Sequence, residues 1–141
     1  MFSLKDKIAL VTGAGSGIGA SIAEVFAAAA AFVYVTDRDT QAGGETVSRL
    51  RAAGGQGEFL ALDVTKESEC ETVGRAVRER FGRLDVLVNN AGIGHVGTAL
   101  TTTGADMDRL YAVNVRGAFN VTKAFIAGRV RSYDDVIRMS H

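Results

Sequence analysis

The chain has no proline and no tryptophan, one cysteine and two histidines, and its charges cancel, with 16 Lys and Arg against 16 Asp and Glu. Each shortage excludes something. A lone cysteine, Cys70, makes neither an intrachain disulfide nor a zinc knuckle, and is expected as an ordinary helix-face residue. Zero net charge gives no electrostatic case for a nucleic-acid or membrane surface. No apolar run is long enough to span a bilayer, since Ala27 to Val35 is flanked by Glu24 and Asp37. Phe2 to Asp6 is too short, and then charged, for a secretory signal. A cytoplasmic protein is therefore expected. Without proline, the turns must come from glycine, asparagine and aspartate, and the 17 glycines supply them.

What is present is a core. At 141 residues and 47% hydrophobic, the sequence is one domain's worth of chain, residues 1–141. Such a chain buries about two-thirds of its unfolded surface. Its organising stretch is Lys7 to Gly19. Ile8 to Val11 has the length and bulk of a strand buried on both faces, and Ala20 to Ala31 has helix formers at helical length. Between them lies Gly13-x-x-x-Gly17-x-Gly19. The first amides of a helix lack intrahelical partners and carry the positive end of its dipole, so a phosphate fits there if the backbone can approach it. Gly13 suits the tight turn, Gly17 the close approach, and Gly19 the packing of helix on strand.

Strands and helices then alternate. Strands are predicted at about Lys7–Thr12, Phe32–Asp37, Glu58–Val64 and Leu84–Val88, with a fifth, short one at Asp135–Met139. Helices are predicted at about 17–30, 40–53, from a Thr65 or Ser68 cap to Phe81, and at about 106–127. The candidate inner positions of the last are Met107, Leu110, Val113, Ala118, Val121 and Phe125. Gly54-Gly55 and Gly82 end two helices. The pattern predicts an α/β fold, a doubly wound parallel sheet with right-handed crossovers and strand order 3-2-1-4, then 5. Ligands bind such sheets beyond the carboxyl ends where the order reverses. The glycine turn and Asn89-Asn90-Ala91-Gly92 both lie there.

Thr12-Gly13-x-x-x-Gly17-Ile18-Gly19, Asp37, Asp63-Val64, Asn89-Asn90-Ala91-Gly92 and Asn114 occur in the order and spacing of a known family. The chain resembles the classical short-chain dehydrogenases/reductases over about residues 5–127. The resemblance implies a Rossmann-like fold and an oxidoreductase that uses a dinucleotide. It implies that Gly13, Ser16, Gly17, Ile18 and Gly19 hold the pyrophosphate side, and that Asp37 accepts hydrogen bonds from the adenosine ribose. Asp63 and Val64 would border the adenine, and Asn90, Ala91 and Gly92 the ribose and nicotinamide. A carboxylate at Asp37 repels a 2′-phosphate, so NAD is expected over NADP, with Arg38 partly offsetting that repulsion. Asn89 is expected to brace the turn.

The family's chemistry belongs to a serine, a Tyr-x-x-x-Lys and an asparagine. Asn114 matches the asparagine, which supports a proton-relay water. The other members have no match in these 141 residues. His141 falls where the serine belongs, with Ser140 beside it, and Tyr111 and Tyr133 are followed four residues on by Val115 and Ile137. His95 and Lys123 read as surface residues rather than substitutes. The expected protein is an NAD-binding Rossmann unit, truncated before the catalytic helix and without standard reductase activity. The alternatives are an oxidoreductase using other groups or a partner chain, and a structural domain that binds no nucleotide. An uncovered sheet edge and the long helix's apolar face point to a homodimer. Where the family has glycine between the first helix and the second strand, this chain has only alanines, which implies a strained turn or a longer helix.

Overall fold

The computed structural model describes residues 2–94 and 96–126. Its elements alternate as β1 (Ile8–Val11), α1 (Gly17–Ala28), β2 (Phe32–Asp37), α2 (Thr40–Ala52), β3 (Gln56–Ala61), α3 (Glu67–Phe81), β4 (Val86–Val88), α4 (Gly104–Tyr111), a π-helical turn (Ala112–Arg116) and α5 (Gly117–Ile126). The strands form one parallel sheet in the order β3-β2-β1-β4. Ile8 pairs with Phe32, and Ala9 with Val33 and Val86, so β1 is hydrogen-bonded on both sides.

This is the Rossmann-like arrangement that the alternation implies. All four residues of β1 are buried. Ile8 and Leu10 face a cluster with Val73, Val77, Val121 and Phe125 from α3 and α5. Ala9 and Val11 face the other side, with Ala23, Ala27, Val47 and Leu50 from α1 and α2. The two-residue period of a strand thus serves two cores at once. Alanines on both β1 and α1 let that helix lie close to the sheet. Phe32, Tyr34 and Phe81 pack edge-on or tilted, 4.9–6.0 Å apart, with the Arg80 guanidinium over Phe32.

Several boundaries differ from expectation. β3 begins at Gln56 and ends at Ala61, because Asp63 starts a turn closed by Thr65. The predicted Thr65 or Ser68 cap is absent: Lys66 precedes α3 and its side chain makes no capping bond. The last helical stretch starts at Gly104, behind a capping box in which Thr103 and Asp106 bond each other's backbone amides. Met107, expected inside, is 60% exposed, while Val121, Ala124 and Phe125 are buried. The π turn adds a residue to the helical repeat and rotates the two faces relative to one another. The predicted fifth strand lies outside the described residues.

Among the described residues, three helices end in a left-handed residue. Gly54 (φ 90°) closes α2, its N–H on the Arg51 carbonyl and the next amide, Gly55, on Leu50. Gly82 (φ 73°) closes α3 with its N–H on Arg78. α1 ends with the same pair of bonds as α2, Ala30 to Ala27 and Ala31 to Phe26, but the left-handed residue is Ala30 (φ 77°). Of the two expectations for the alanine run, the strained turn is the one found.

Candidate functional site

Two backbone corners meet at the carboxyl end of the sheet. The first follows β1. Gly13 takes φ 61° and Gly17 φ 57°, conformations that other residues reach only under strain. A side chain on Gly13 would stand 2.8 Å from the Ala91 Cα, and one on Gly19 would overlap the Gly13 carbonyl and the Asn90 amide. A side chain on Gly17 would meet nothing within 4 Å, so this part of the turn is open. Ser16 sits at the start of α1 in extended conformation, its hydroxyl makes no capping bond, and no acid stands in the first turn. The helix start therefore presents uncapped amides and an uncompensated dipole.

The second corner follows β4. It is latched to the first by Thr12, whose buried hydroxyl oxygen accepts from the amides of Asn90 (3.0 Å) and Ala91 (2.9 Å). The Asn90 side chain returns a bond to the Gly13 carbonyl at 3.1 Å. Asn89 points elsewhere: its side chain, expected to brace the turn, donates to the Thr122 hydroxyl on α5 at 3.1 Å and so ties the end of β4 to that helix. From behind, the Thr46 hydroxyl of α2 supports the glycine turn by donating to the Ala14 carbonyl at 2.9 Å.

Two carboxylates stand at the other end of the same cleft. Asp37, the last residue of β2, accepts from the Gly15 amide (2.9 Å) and the Asp39 amide (2.9 Å), which fixes its orientation. Asp63 accepts from the Thr65 hydroxyl (2.6 Å) and amide (3.0 Å). The Thr65 hydroxyl bond holds its carboxyl below the usual carboxylate range, with Lys66 and Arg38 acting in the same direction. Val64 is buried, and its carbonyl accepts from the Asn120 amide at 3.1 Å. Gly13, Ser16, Asp37, Arg38, Asp63 and Val64 line a cleft of about 310 Å³ that continues to Asn90, Ala91, Gly92 and Ile93.

Ile18 is brought to the rim of this region but points outward, 74% exposed. Asn114 lies on the π turn beside Gly92. Its carbonyl oxygen accepts from the Ile93 amide (2.8 Å) and its NH2 donates to the Ile93 carbonyl (2.9 Å). The side chain expected to support a relay water thus clamps the loop after β4, as a neighbouring strand would. Lys123 pairs with Glu67 at 3.2 Å on the surface. His95, Ser140 and His141 lie outside the described residues.

Sequence reasoning assigned no role to Thr12, Gly15, Thr46 or Ile93. Thr12 left a signal: a hydroxyl at the end of a buried strand needs a partner. Gly15 left none, because its need for space comes from Asp37 and Ala42, 2.8 and 2.9 Å from where its Cβ would be.

A cavity of about 500 Å³ lies at the opposite end of the strands, among Lys5, Lys7, Gly54, Phe81 and Arg83. The carboxyl ends of α1, α2 and α3 close around that end, and their negative dipole ends offset the charge of the cations there, which makes it a poor site for a phosphate. Parallel sheets bind ligands at the other end, which favours the smaller cleft. Among the described residues, no group of three His, Cys, Asp or Glu side chains could hold a metal ion, and no helix is long and apolar enough to cross a membrane.

Comparison with known proteins agrees with this geometry. An uncharacterised oxidoreductase of Thermotoga maritima is 44% identical over 121 residues, which is 86% of this chain and 47% of that protein. A cyclopentanol dehydrogenase of a Comamonas strain is 36% identical over 126 residues, 89% of this chain and 50% of the relative. The crystal structure of a metagenomic short-chain oxidoreductase in complex with NADP superposes with a TM-score of 0.83 at 38% identity, covering 88% of this chain and 57% of that one. The chain spans about half the length of the curated relatives it matches. The sequence profile of the short chain dehydrogenases matches residues 7–140, and with the shared sheet order and site motifs it shows that this chain belongs to the short-chain dehydrogenase family.

Proposed function

We propose that this chain is a dinucleotide-binding unit that takes NAD in preference to NADP and does not by itself reduce a carbonyl compound. The observation carrying this reading is the latch through Thr12 and Asn90, which holds two backbone corners over one cleft. The residues present fit the group: α1 begins uncapped, Gly17 leaves room beside it, and a fixed carboxylate stands at the far end.

The amides at the start of α1, from Gly17 to Gly19, would hold the pyrophosphate. Asp37 would accept from the adenosine ribose hydroxyls, while Asp63 and Val64 border the base. A volume near 310 Å³ suits the adenosine half of the cofactor. Asn90, Ala91 and Gly92 would line the ribose and nicotinamide side, with Asn114 positioning Ile93 there. The cofactor, when bound, supplies hydride exchange with an alcohol or ketone carbon. The chain's own part is to bind and orient it. A proton donor equivalent to the family's Tyr-x-x-x-Lys is absent from these residues, so turnover would need groups from elsewhere.

A second feature supports a homodimer. Met107, Tyr111, Val115 and Phe119 recur every four residues along α4, the π turn and α5, and all are more than half exposed. Such a stripe favours packing against its copy. A cytoplasmic setting suits the buried, free thiol of Cys70.

Thermal unfolding with NAD and with NADP, beside an NADH-oxidation assay on a carbonyl panel, tests the reading. Ligand at a hundredfold its dissociation constant stabilises by about 2.7 kcal/mol, a shift of several degrees at this size. NAD should give the larger shift, Asp37→Ala should abolish the preference, and NADH should not be consumed. No shift with either nucleotide would leave the structural-domain reading, and steady turnover the enzyme reading. Sedimentation of wild type and Phe119→Glu tests the dimer, and a wild-type monomer at micromolar concentration would refute it.

A further inference from the structure

Besides Tyr34 and Cys70, four polar side chains are buried among the described residues: Thr12, Thr36, Thr46 and Asn120. A buried polar group costs stability unless it finds a partner, so the partner it finds is informative. The three threonines all serve the glycine turn and the strand leading into it. Thr36 donates to the Val11 carbonyl at 2.9 Å, Thr46 donates to that of Ala14, and Thr12 accepts from the second corner. Asn120 serves the other end of the cleft. It sits on α5 beside Val121 and Ala124, members of the apolar cluster on that side of the sheet. Its NH2 group reaches 56 residues back to the Val64 carbonyl. An apolar residue of similar size would fill the position without needing any partner.

The segment that Asn120 holds has already left the sheet. β3 ends at Ala61, and Leu62, whose N–H donates to the Asp37 carbonyl at 3.0 Å, is the last residue to bond a strand. Leu62 and Val64 then turn into the apolar cluster, and Asp63 between them is left toward the cleft. With side chains alternating in this way, the seat of Val64 sets the direction of Asp63. Two contacts from α5 fix that seat. One is the Asn120 bond. The other is Gly117, where a Cβ would stand 2.6 Å from Val64 Cγ2, so the helix lies directly on that side chain.

We propose that Asn120 is a positioning residue for the base end of the cleft: by holding the Val64 carbonyl it aims the Asp63 carboxylate, and so sets the preference for the base of a bound dinucleotide. This rests on the cleft taking a dinucleotide, as proposed above. An ionised carboxylate only accepts hydrogen bonds, so Asp63 favours a base with an amino group, as in adenine, over hypoxanthine, which has a carbonyl there. Asn120 itself touches no ligand. Its effect reaches the base through one hydrogen bond and the peptide that joins Val64 to Asp63.

The test measures binding of NAD and of nicotinamide hypoxanthine dinucleotide, which differs only in the base, by calorimetry on the wild type and three variants. Asn120→Leu keeps the bulk and removes the donor. Gly117→Ala keeps the donor and pushes Val64 aside. Val77→Ala, at a fully buried position of the same cluster on α3, opens the core and leaves both contacts in place. The wild type should favour NAD by about tenfold, the worth of one hydrogen bond to a charged group. Asn120→Leu and Gly117→Ala should bring the two nucleotides to within about twofold of each other, while Val77→Ala lowers Tm and keeps the preference. A folded Asn120→Leu with the wild-type preference overturns the proposal, and if that variant does not fold, Gly117→Ala with the wild-type preference does so. Loss of the preference in Val77→Ala also overturns it, because any loosening of the core would then suffice. A wild type that binds both nucleotides equally overturns the proposal and leaves the dinucleotide reading standing, whereas a wild type that binds neither overturns both.

Discussion

Replacing Ala30 with glycine should stabilise the protein, and its magnitude follows from comparing two helix ends. α1 and α2 close with the same two backbone bonds, and each requires a left-handed residue, Ala30 at φ 77° and Gly54 at φ 90°. An L-residue with a Cβ costs about 1–2 kcal/mol there. Glycine removes that cost but gives the unfolded chain more freedom, worth about 0.4–1 kcal/mol in the other direction. Ala30 is exposed, so little packing is lost. The net for Ala30→Gly is a gain of about 0.5–1 kcal/mol, or about 2–4 °C in Tm. Gly54→Ala is the mirror experiment: its Cβ would meet nothing within 4 Å, so the backbone term alone should cost a similar amount. Urea unfolding of both variants, with unchanged slope, reads the two values. An Ala30→Gly variant no more stable than wild type, beside a Gly54→Ala variant that loses nothing, would refute the argument.

Thr12→Val removes the hydroxyl oxygen that accepts two amides, and should destabilise by about 1–3 kcal/mol; the ligand-induced shift in Tm should fall with it, and a variant that unfolds and binds like wild type would dismiss the latch. Burial raises the Cys70 thiol to about 11, so a thiol reagent at pH 8 should label it only as the protein unfolds, which stopped-flow labelling across a urea series checks. Asp63 has its carboxyl lowered in the folded state, so its stabilising share is full above the unfolded carboxylate range and is lost as pH falls through the folded value. In Thr65→Val, carboxyl NMR titration should show Asp63 moving up, and acid unfolding should become less steep in that range.

The sheet order and the paired corners were legible because they depend on local spacing. A strand, a glycine cluster and a helix in succession leave few topologies. The left-handed closure of α2 and α3 was equally plain from Gly54 and Gly82. What could not be read depends on partners distant in the chain. The spacing singled out Asn114, but not that its side-chain amide holds both backbone groups of Ile93, a pairing that only the folded backbone creates. Met107 was placed inside by extending one helical period through a segment that holds a π turn. The start of α3 failed for a third reason: Thr65 serves the Asp63 carboxylate instead of the helix.

The central position of β1 bears on how the chain leaves the ribosome. Its first neighbour, β2, follows at once, but its second, β4, lies about fifty residues further on, which takes on the order of 3–10 s to synthesise at common rates. Through that interval one side of Ile8–Val11 offers bare amides and carbonyls to any extended peptide nearby. The nascent protein is therefore most exposed to mispairing before Val86–Val88 emerges, and a chaperone that shields short apolar strands would improve its yield most within that window.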